Sequence, residues 1–202
     1  MKFSKYRFIA ALVLCSLMIM GCESTGSSDR NMTPLITGYT CCNLRNESDG
    51  DWISELNYVD WPMIKLGTPA SVTGYGRYRA YLDMSGKPMR LGQDYTRDDL
   101  TLEQYVKRII VVEDPAIKLA TYPKKIQDAI LLGKVMKGMT KEQVIMSVGY
   151  PLTQENPDMD APMWRMWIDS FSEYQLMWDK NGTVKDIMAS PVIKNLIVYE
   201  PD

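Results

Sequence analysis

The chain has 202 residues, 46% apolar and 24% charged, which suits an ordinary folded protein with one substantial core or two small ones. It has no histidine, so the commonest general base and the commonest neutral metal ligand are both missing. The net charge is −2, and it becomes −5 (20 basic against 25 acidic residues) when the basic leader, residues 1–21, is removed, a balance that argues against nucleic acid as a partner.

Lys2, Lys5 and Arg7 precede a run of thirteen mostly apolar residues, 8–20. That is the length of a signal-peptide core and too short for a comfortable membrane span. The run ends in Ile19-Met20-Gly21-Cys22, which looks like a bacterial lipobox. A small glycine suits the peptidase, and the thiol would take the diacylglyceryl group. Met20 and Ile19 stand where a small residue and leucine are commoner. Residues 1–21 are therefore expected to be a lipoprotein signal peptide and Cys22 the lipidated amino terminus. Glu23 is not the aspartate that retains lipoproteins in the inner membrane, so the expected location is the periplasmic face of the outer membrane, lipid-anchored. Residues 22–37, polar and rich in Ser, Thr and Gly, read as a flexible tether with a span of roughly 20 Å. The fifteen methionines read as adaptable core filling.

Cys41 and Cys42 are adjacent. In an oxidising compartment they could bridge to each other, bridge to another chain, or stay buried as small apolar residues. Residues 38–115 read as a β-rich module with a connecting helix. Gly67-Thr68-Pro69 introduces a strand over 71–73, and residues 77–84 alternate, with Tyr78, Ala80, Leu82 and Met84 on one side and Arg77, Arg79, Tyr81 and Asp83 on the other. Ser85-Gly86-Lys87 predicts a hairpin turn back through Met89-Arg90-Leu91. Short strands joined by Gly and Pro turns give the module the pattern of a small SH3-like barrel. Its outward face would carry Arg77, Arg79, Tyr81 and Arg90, able to stack a sugar or grip an acidic group, although such a stripe is commonly just a solvated strand face.

Thr101-Leu102-Glu103-Gln104 is a capping box that opens a helix through about residue 111, stopped by Glu113-Asp114-Pro115. Pro123 starts another helix, with Ile126, Ala129, Ile130 and Leu132 as its apolar face and Gly133 at its end. The most informative stretch comes next along the chain. In Lys137-Gly138-Met139-Thr140-Lys141-Glu142-Gln143-Val144, Thr140 is an N-cap and Gln143 completes the capping box, while Met139 and Val144 are spaced as a hydrophobic staple. Gly149 and Pro151 end this helix after about two turns. Residues 152–162 form an acidic loop whose spacing does not match a calcium-binding hand. Strands are expected over 163–168, 173–178 and 183–188, with a type I′ turn at Asn181-Gly182. The tail, 192–199, reads as an edge strand or an extended surface segment.

The "KGMTKEQV" start, the "GYP" stop, the tryptophan strand "MWRMWI" and the closing hairpin "YQLMWDKNGTVKDI" resemble, in this order and spacing, the SmpA/OmlA (BamE-like) family of outer-membrane lipoproteins. The resemblance spans residues 124–188 and is carried by Gly138, Met139, Thr140, Gln143, Val144, Gly149, Pro151 and Trp164. It implies an α+β domain over 116–202 that docks on subunits of the β-barrel assembly machinery. The fold expected for the whole chain is α+β: two C-terminal helices packed on a three-stranded antiparallel sheet, preceded by the small β-rich, SH3-like module.

No phosphate-cradling glycine loop, nucleophile elbow or acid–base spacing is present in the sequence, so no catalytic residue, metal site or cofactor is expected. The expected role is that of a non-catalytic accessory or scaffold in outer-membrane protein assembly or envelope integrity. Its partners would be the outer membrane, through the acyl chains, and assembly-machinery subunits. The alternative is a periplasmic binding or inhibitor module that recognises a cell-wall component or an envelope protein. Arg165, Trp167, Arg77, Arg79 and Tyr81 are the candidate contacts. Met139 and Trp164 read better as core.

Overall fold

The computed structural model describes residues 34–48 and 50–201. The expected signal peptide, Cys22 and the tether up to residue 33 lie outside the described residues. Seven strands come first: β1 (Ile36–Thr40), β2 (Leu44–Arg45), β3 (Trp52–Ile53), β4 (Met63–Ile64), β5 (Pro69–Tyr75), β6 (Arg79–Met84) and β7 (Lys87–Gly92). Helix α1 (Leu102–Ile109) runs straight into β8 (Ile110–Val111), and α2 (Pro115–Leu119), α3 (Lys124–Leu131) and α4 (Lys141–Val148) come after it. Strands β9 (Met163–Trp167), β10 (Glu173–Trp178) and β11 (Val184–Met188) precede the last helix, α5 (Pro191–Ile197).

The larger sheet has six strands in the order β3-β7-β6-β5-β1-β8, curled into a half-barrel and mixed because β3 runs parallel to β7. A three-stranded antiparallel sheet, β11-β10-β9, and the short β2-β4 pair complete the strands. The expected class is thereby corrected. The chain is not two helices on a three-stranded sheet behind a small SH3-like module; a six-stranded half-barrel, a three-stranded sheet and five short helices make up the described fold. The difference arises at the sheet's flank. Thr40 of β1 pairs with Ile110 of β8, a contact across some seventy residues that no local period reveals. The Ile109-Ile110-Val111 run looks like the last turn of a helix. Instead the backbone turns extended at Ile110 (φ −105°, ψ 108°), whose amide still donates to the Val106 carbonyl.

Two further helices were not expected. The Asp114-Pro115 pair does not merely stop α1. Asp114 caps α2 by accepting from the Ala116 amide (2.9 Å), and Pro115 takes the first helical position, where its missing N–H costs nothing. Ser190-Pro191 does the same for α5, so the tail is helical rather than an edge strand. Beyond it Val198 forms a parallel bridge with Val135. The closing hairpin also differs from a type I′ turn: Gly182 has a positive φ (72°), but Asn181 does not. The Asp179 carboxylate accepts from the amides of Asn181 (2.8 Å) and Thr183 (3.0 Å), which favours a three-residue loop with glycine in the left-handed position. The β6–β7 hairpin turns on Ser85 (φ 55°) and Gly86 (φ 87°), as a two-residue type I′ turn requires.

Helix α4 has both of its expected ends. The Thr140 hydroxyl accepts from the Gln143 amide (3.3 Å), and the Gln143 side chain accepts from the Thr140 amide (2.9 Å). Gly149 ends the helix at φ 83°, a conformation a side chain resists. Met139 and Val144 are both fully buried. Replacing the exposed cap, Thr140→Ala, should lower stability by about 1 kcal/mol, read as a small fall in the thermal unfolding midpoint, and Thr140→Ser should restore it.

Apolar side chains collect in two clusters. One, with Ile130, Val144, Trp164, Tyr174, Leu176 and Ile197, lies among α3, α4, α5 and the three-stranded sheet. The other, with Ile53, Val72, Leu82, Leu91 and Val106, lies between the curled sheet and α1. Asn43 joins them. It is 1% exposed, its amide donates to the carbonyls of Ile130 (2.6 Å) and Ser147 (3.0 Å), and its oxygen accepts from the Leu66 amide (3.0 Å). Asn156, also buried, serves β9: its side chain accepts from the Arg165 amide (2.8 Å) and donates to the Arg165 carbonyl (3.1 Å), in the place where a further strand would pair.

Candidate functional site

Strand β6 alternates as its sequence directs, with Ala80, Leu82 and Met84 buried and Arg79, Tyr81 and Asp83 outside. Register then places Tyr81 beside Arg90 and Arg79 beside Gly92 on β7. Trp52 of β3 lies over Gly92, where any Cβ would come within 2.1 Å of an indole carbon. Glycine is thus what lets the ring lie down on the sheet. The guanidinium carbons of Arg79 and Arg90 lie 5.0 and 5.5 Å from the centre of the Trp52 ring, within cation–π range.

Arg90 also grips Asp51 with a two-pronged contact, Nε to Oδ2 at 2.8 Å and Nη2 to Oδ1. That hydrogen bond is the main reason the Asp51 carboxyl titrates below its usual range, and it raises Arg90 in turn. A second stack stands at the start of β6. Arg77 and Arg97 lie 4.9 and 4.1 Å from the centre of the Tyr78 ring. Arg97 is held by the Gln93 carbonyl (3.0 Å) and sits 3.6 Å from Asp94. Glu55 is buried, accepting from the Thr96 amide (2.9 Å), the Thr96 hydroxyl (2.7 Å) and the Tyr95 amide. Burial pushes its carboxyl above the usual range, against the opposing pull of those hydrogen bonds.

Four guanidiniums therefore share two aromatic rings, Arg79 and Arg90 at Trp52 on the outward face of β6 and β7, and Arg77 and Arg97 at Tyr78 beside the first residue of β6. Of the expected contacts, Arg79 and Tyr81 come together with Arg90 at the Trp52 stack, whereas Arg77 lies apart from them against the Tyr78 ring. Trp52, Tyr78 and Arg97 were not expected. The Tyr78 carbonyl still accepts from the Gln93 amide (2.9 Å), in continuation of the β6–β7 register, and nothing in linear spacing announces that Arg97 approaches its ring. Arg165 and Trp167 lie elsewhere, on the outer side of β9. Arg165 is 3.2 Å from Glu173, and the Trp167 indole N–H donates to Glu155 (2.8 Å), so their polar groups are already engaged within the fold. Met139 and Trp164 are fully buried core residues, Trp164 meeting Trp178 edge-to-face at 4.6 Å.

Cys41 and Cys42 are bonded to each other. Cys41 lines a groove of about 650 Å³ together with Ile117 of α2, Met146 of α4 and Tyr150. Among the described residues no group of three or more acidic or cysteine side chains is placed to hold a metal ion, and no helix is long and apolar enough to cross a membrane. Comparison of the chain with protein-family models, with curated proteins and with solved structures gives no match.

Proposed function

We propose that the chain is an outer-membrane lipoprotein that works by contact rather than by catalysis, as an accessory or scaffold in outer-membrane protein assembly or envelope integrity. The observation that carries this reading is the leader, a basic start, a thirteen-residue apolar run and Ile19-Met20-Gly21-Cys22. Acyl chains on Cys22 would hold the domain at the periplasmic face. Kinship with the SmpA/OmlA family is proposed on the capped helix α4 and the Trp164 strand, not on the overall fold. The Trp52 stack supports a binding role, because Arg79, one of its two guanidiniums, forms no ion pair within the described residues, and Tyr81 beside it is exposed.

The test is metabolic labelling with radioactive palmitate. Label is expected in the wild-type chain and absent from Cys22→Ser. An unlabelled wild-type protein overturns the location. Affinity purification from solubilised envelope then reads the role: recovery of barrel-assembly subunits supports assembly, whereas recovery only of cell-wall material or a soluble hydrolase overturns it.

A further inference from the structure

We infer that the Cys41–Cys42 bond is a thiol–disulfide exchange site, opened by a neutral or cationic dithiol that enters the groove and attacks the sulfur of Cys41. The inference goes beyond the contact role proposed above and does not depend on it. A disulfide stabilises a fold by closing a loop in the unfolded chain, and the gain grows with the length of that loop. Here the sequence separation is 1, so the bond ties nothing that the peptide link has not already tied. The two cysteines differ in access. Cys42 is 0% exposed in the apolar cluster of the curled sheet, whereas Cys41, 9% exposed, lines the groove. Backbone bonds pin the pair on either side: the Cys41 amide donates to the Ile109 carbonyl (2.8 Å) and the Asn43 amide to the Met146 carbonyl (3.0 Å). An entering thiol thus has one cysteine within reach, held in place at the groove.

One thiolate of the dithiol attacks the Cys41 sulfur and forms a mixed disulfide with it, while the Cys41–Cys42 bond breaks and its electron pair leaves on Cys42. The departing sulfur takes a proton, because apolar surroundings favour the thiol over the thiolate. The second thiol of the reagent then attacks the sulfur its first thiol contributed, releases Cys41 and closes the reagent into a cyclic disulfide. Two electrons and two protons pass from the dithiol to the two cysteines. Charge selects the reagent. Glu113, Asp114 and Glu142 line the groove against the single ammonium of Lys118, which is itself paired with Glu142. An anionic thiol is repelled there, and a neutral or cationic one is admitted.

The test uses the mature chain, residues 22–202 with Cys22→Ser, so that Cys41 and Cys42 are its only cysteines. Dihydrolipoamide, which is neutral, should open the bond of the folded protein several times faster than anionic dihydrolipoate at low salt, and added salt should narrow the gap. Alkylation followed by mass spectrometry counts the thiols released. Ile117→Trp, at a site 73% exposed, should slow both reagents severalfold with the thermal midpoint unchanged, and Val192→Trp on α5 should change nothing. N-ethylmaleimide should modify the Cys42→Ser variant, at Cys41, at least about tenfold faster than the Cys41→Ser variant, a difference that unfolding in guanidinium chloride erases. If these single-cysteine variants do not fold, the two dithiols and Ile117→Trp still decide. Two free thiols in the untreated protein, or opening only on global unfolding, overturns the inference. So do equal rates with the two dithiols, an Ile117→Trp variant as fast as wild type, or equal labelling of the two folded single-cysteine variants. Because the assay uses unacylated protein, its failure is separate from a failure of palmitate labelling.

Discussion

Asn43→Ala is expected to lower the stability of the protein by about 3–5 kcal/mol, a large loss for a single polar side chain. Asn43 spans the two apolar clusters and satisfies three backbone groups, the carbonyls of Ile130 and Ser147 and the amide of Leu66. It is 1% exposed, so water cannot readily replace it, and each orphaned group costs about 1–3 kcal/mol. Thermal unfolding followed by circular dichroism should show the midpoint falling by about 10 °C. Asn43→Asp separates hydrogen bonding from volume. It keeps the size and the acceptor but sets a carboxylate against two carbonyl oxygens, so it should be at least as damaging. A loss under about 1 kcal/mol for either variant would mean that the clusters hold together without this bridge.

Trp164→Ala should cost about 4 kcal/mol, in the range for a large aromatic removed from a sealed core. Trp164 is fully buried, its indole N–H donates to the Met159 carbonyl (3.2 Å), and its ring meets Trp178 edge-to-face. Truncation removes the apolar burial, leaves a cavity that a three-stranded sheet closes poorly, and strips Trp178 of its aromatic neighbour. Urea unfolding at 25 °C should show a lower midpoint with an unchanged slope. Trp164→Phe, which keeps a ring against Trp178 and loses the N–H donor, should retain more than half of the lost stability. If alanine and phenylalanine behaved alike, the loss would lie in the hydrogen bond rather than in packing.

The features legible in the sequence were local. The capping boxes at Thr101 and Thr140 were legible because cap and partner stand three residues apart. The inward side of β6 was legible because Ala80, Leu82 and Met84 alternate, and the strand over 173–178 came out with the bounds the pattern assigns. Signals with two meanings were harder. Asp114-Pro115 and Ser190-Pro191 mark starts as well as stops, and only the packing of the residues downstream decides between them. The half-barrel was illegible for a different reason. Its flanking strand β8 has two residues and pairs with β1 from some seventy residues away, so its contribution lies in register rather than in periodicity. The candidate site was half legible. Outward arginines on β6 follow from alternation, whereas the laying of Trp52 across Gly92 and the sharing of each ring by two cations are facts of tertiary approach.

The side chain of Asn156 does more than tidy a loop. By occupying the outward amide and carbonyl of Arg165 at the middle of β9, it denies that rim to any strand from a neighbouring molecule. A bare rim of this kind templates edge-to-edge polymerisation, a hazard that grows when many copies are crowded together. Here a single carboxamide stands as the terminal partner, and the small sheet stops at three strands.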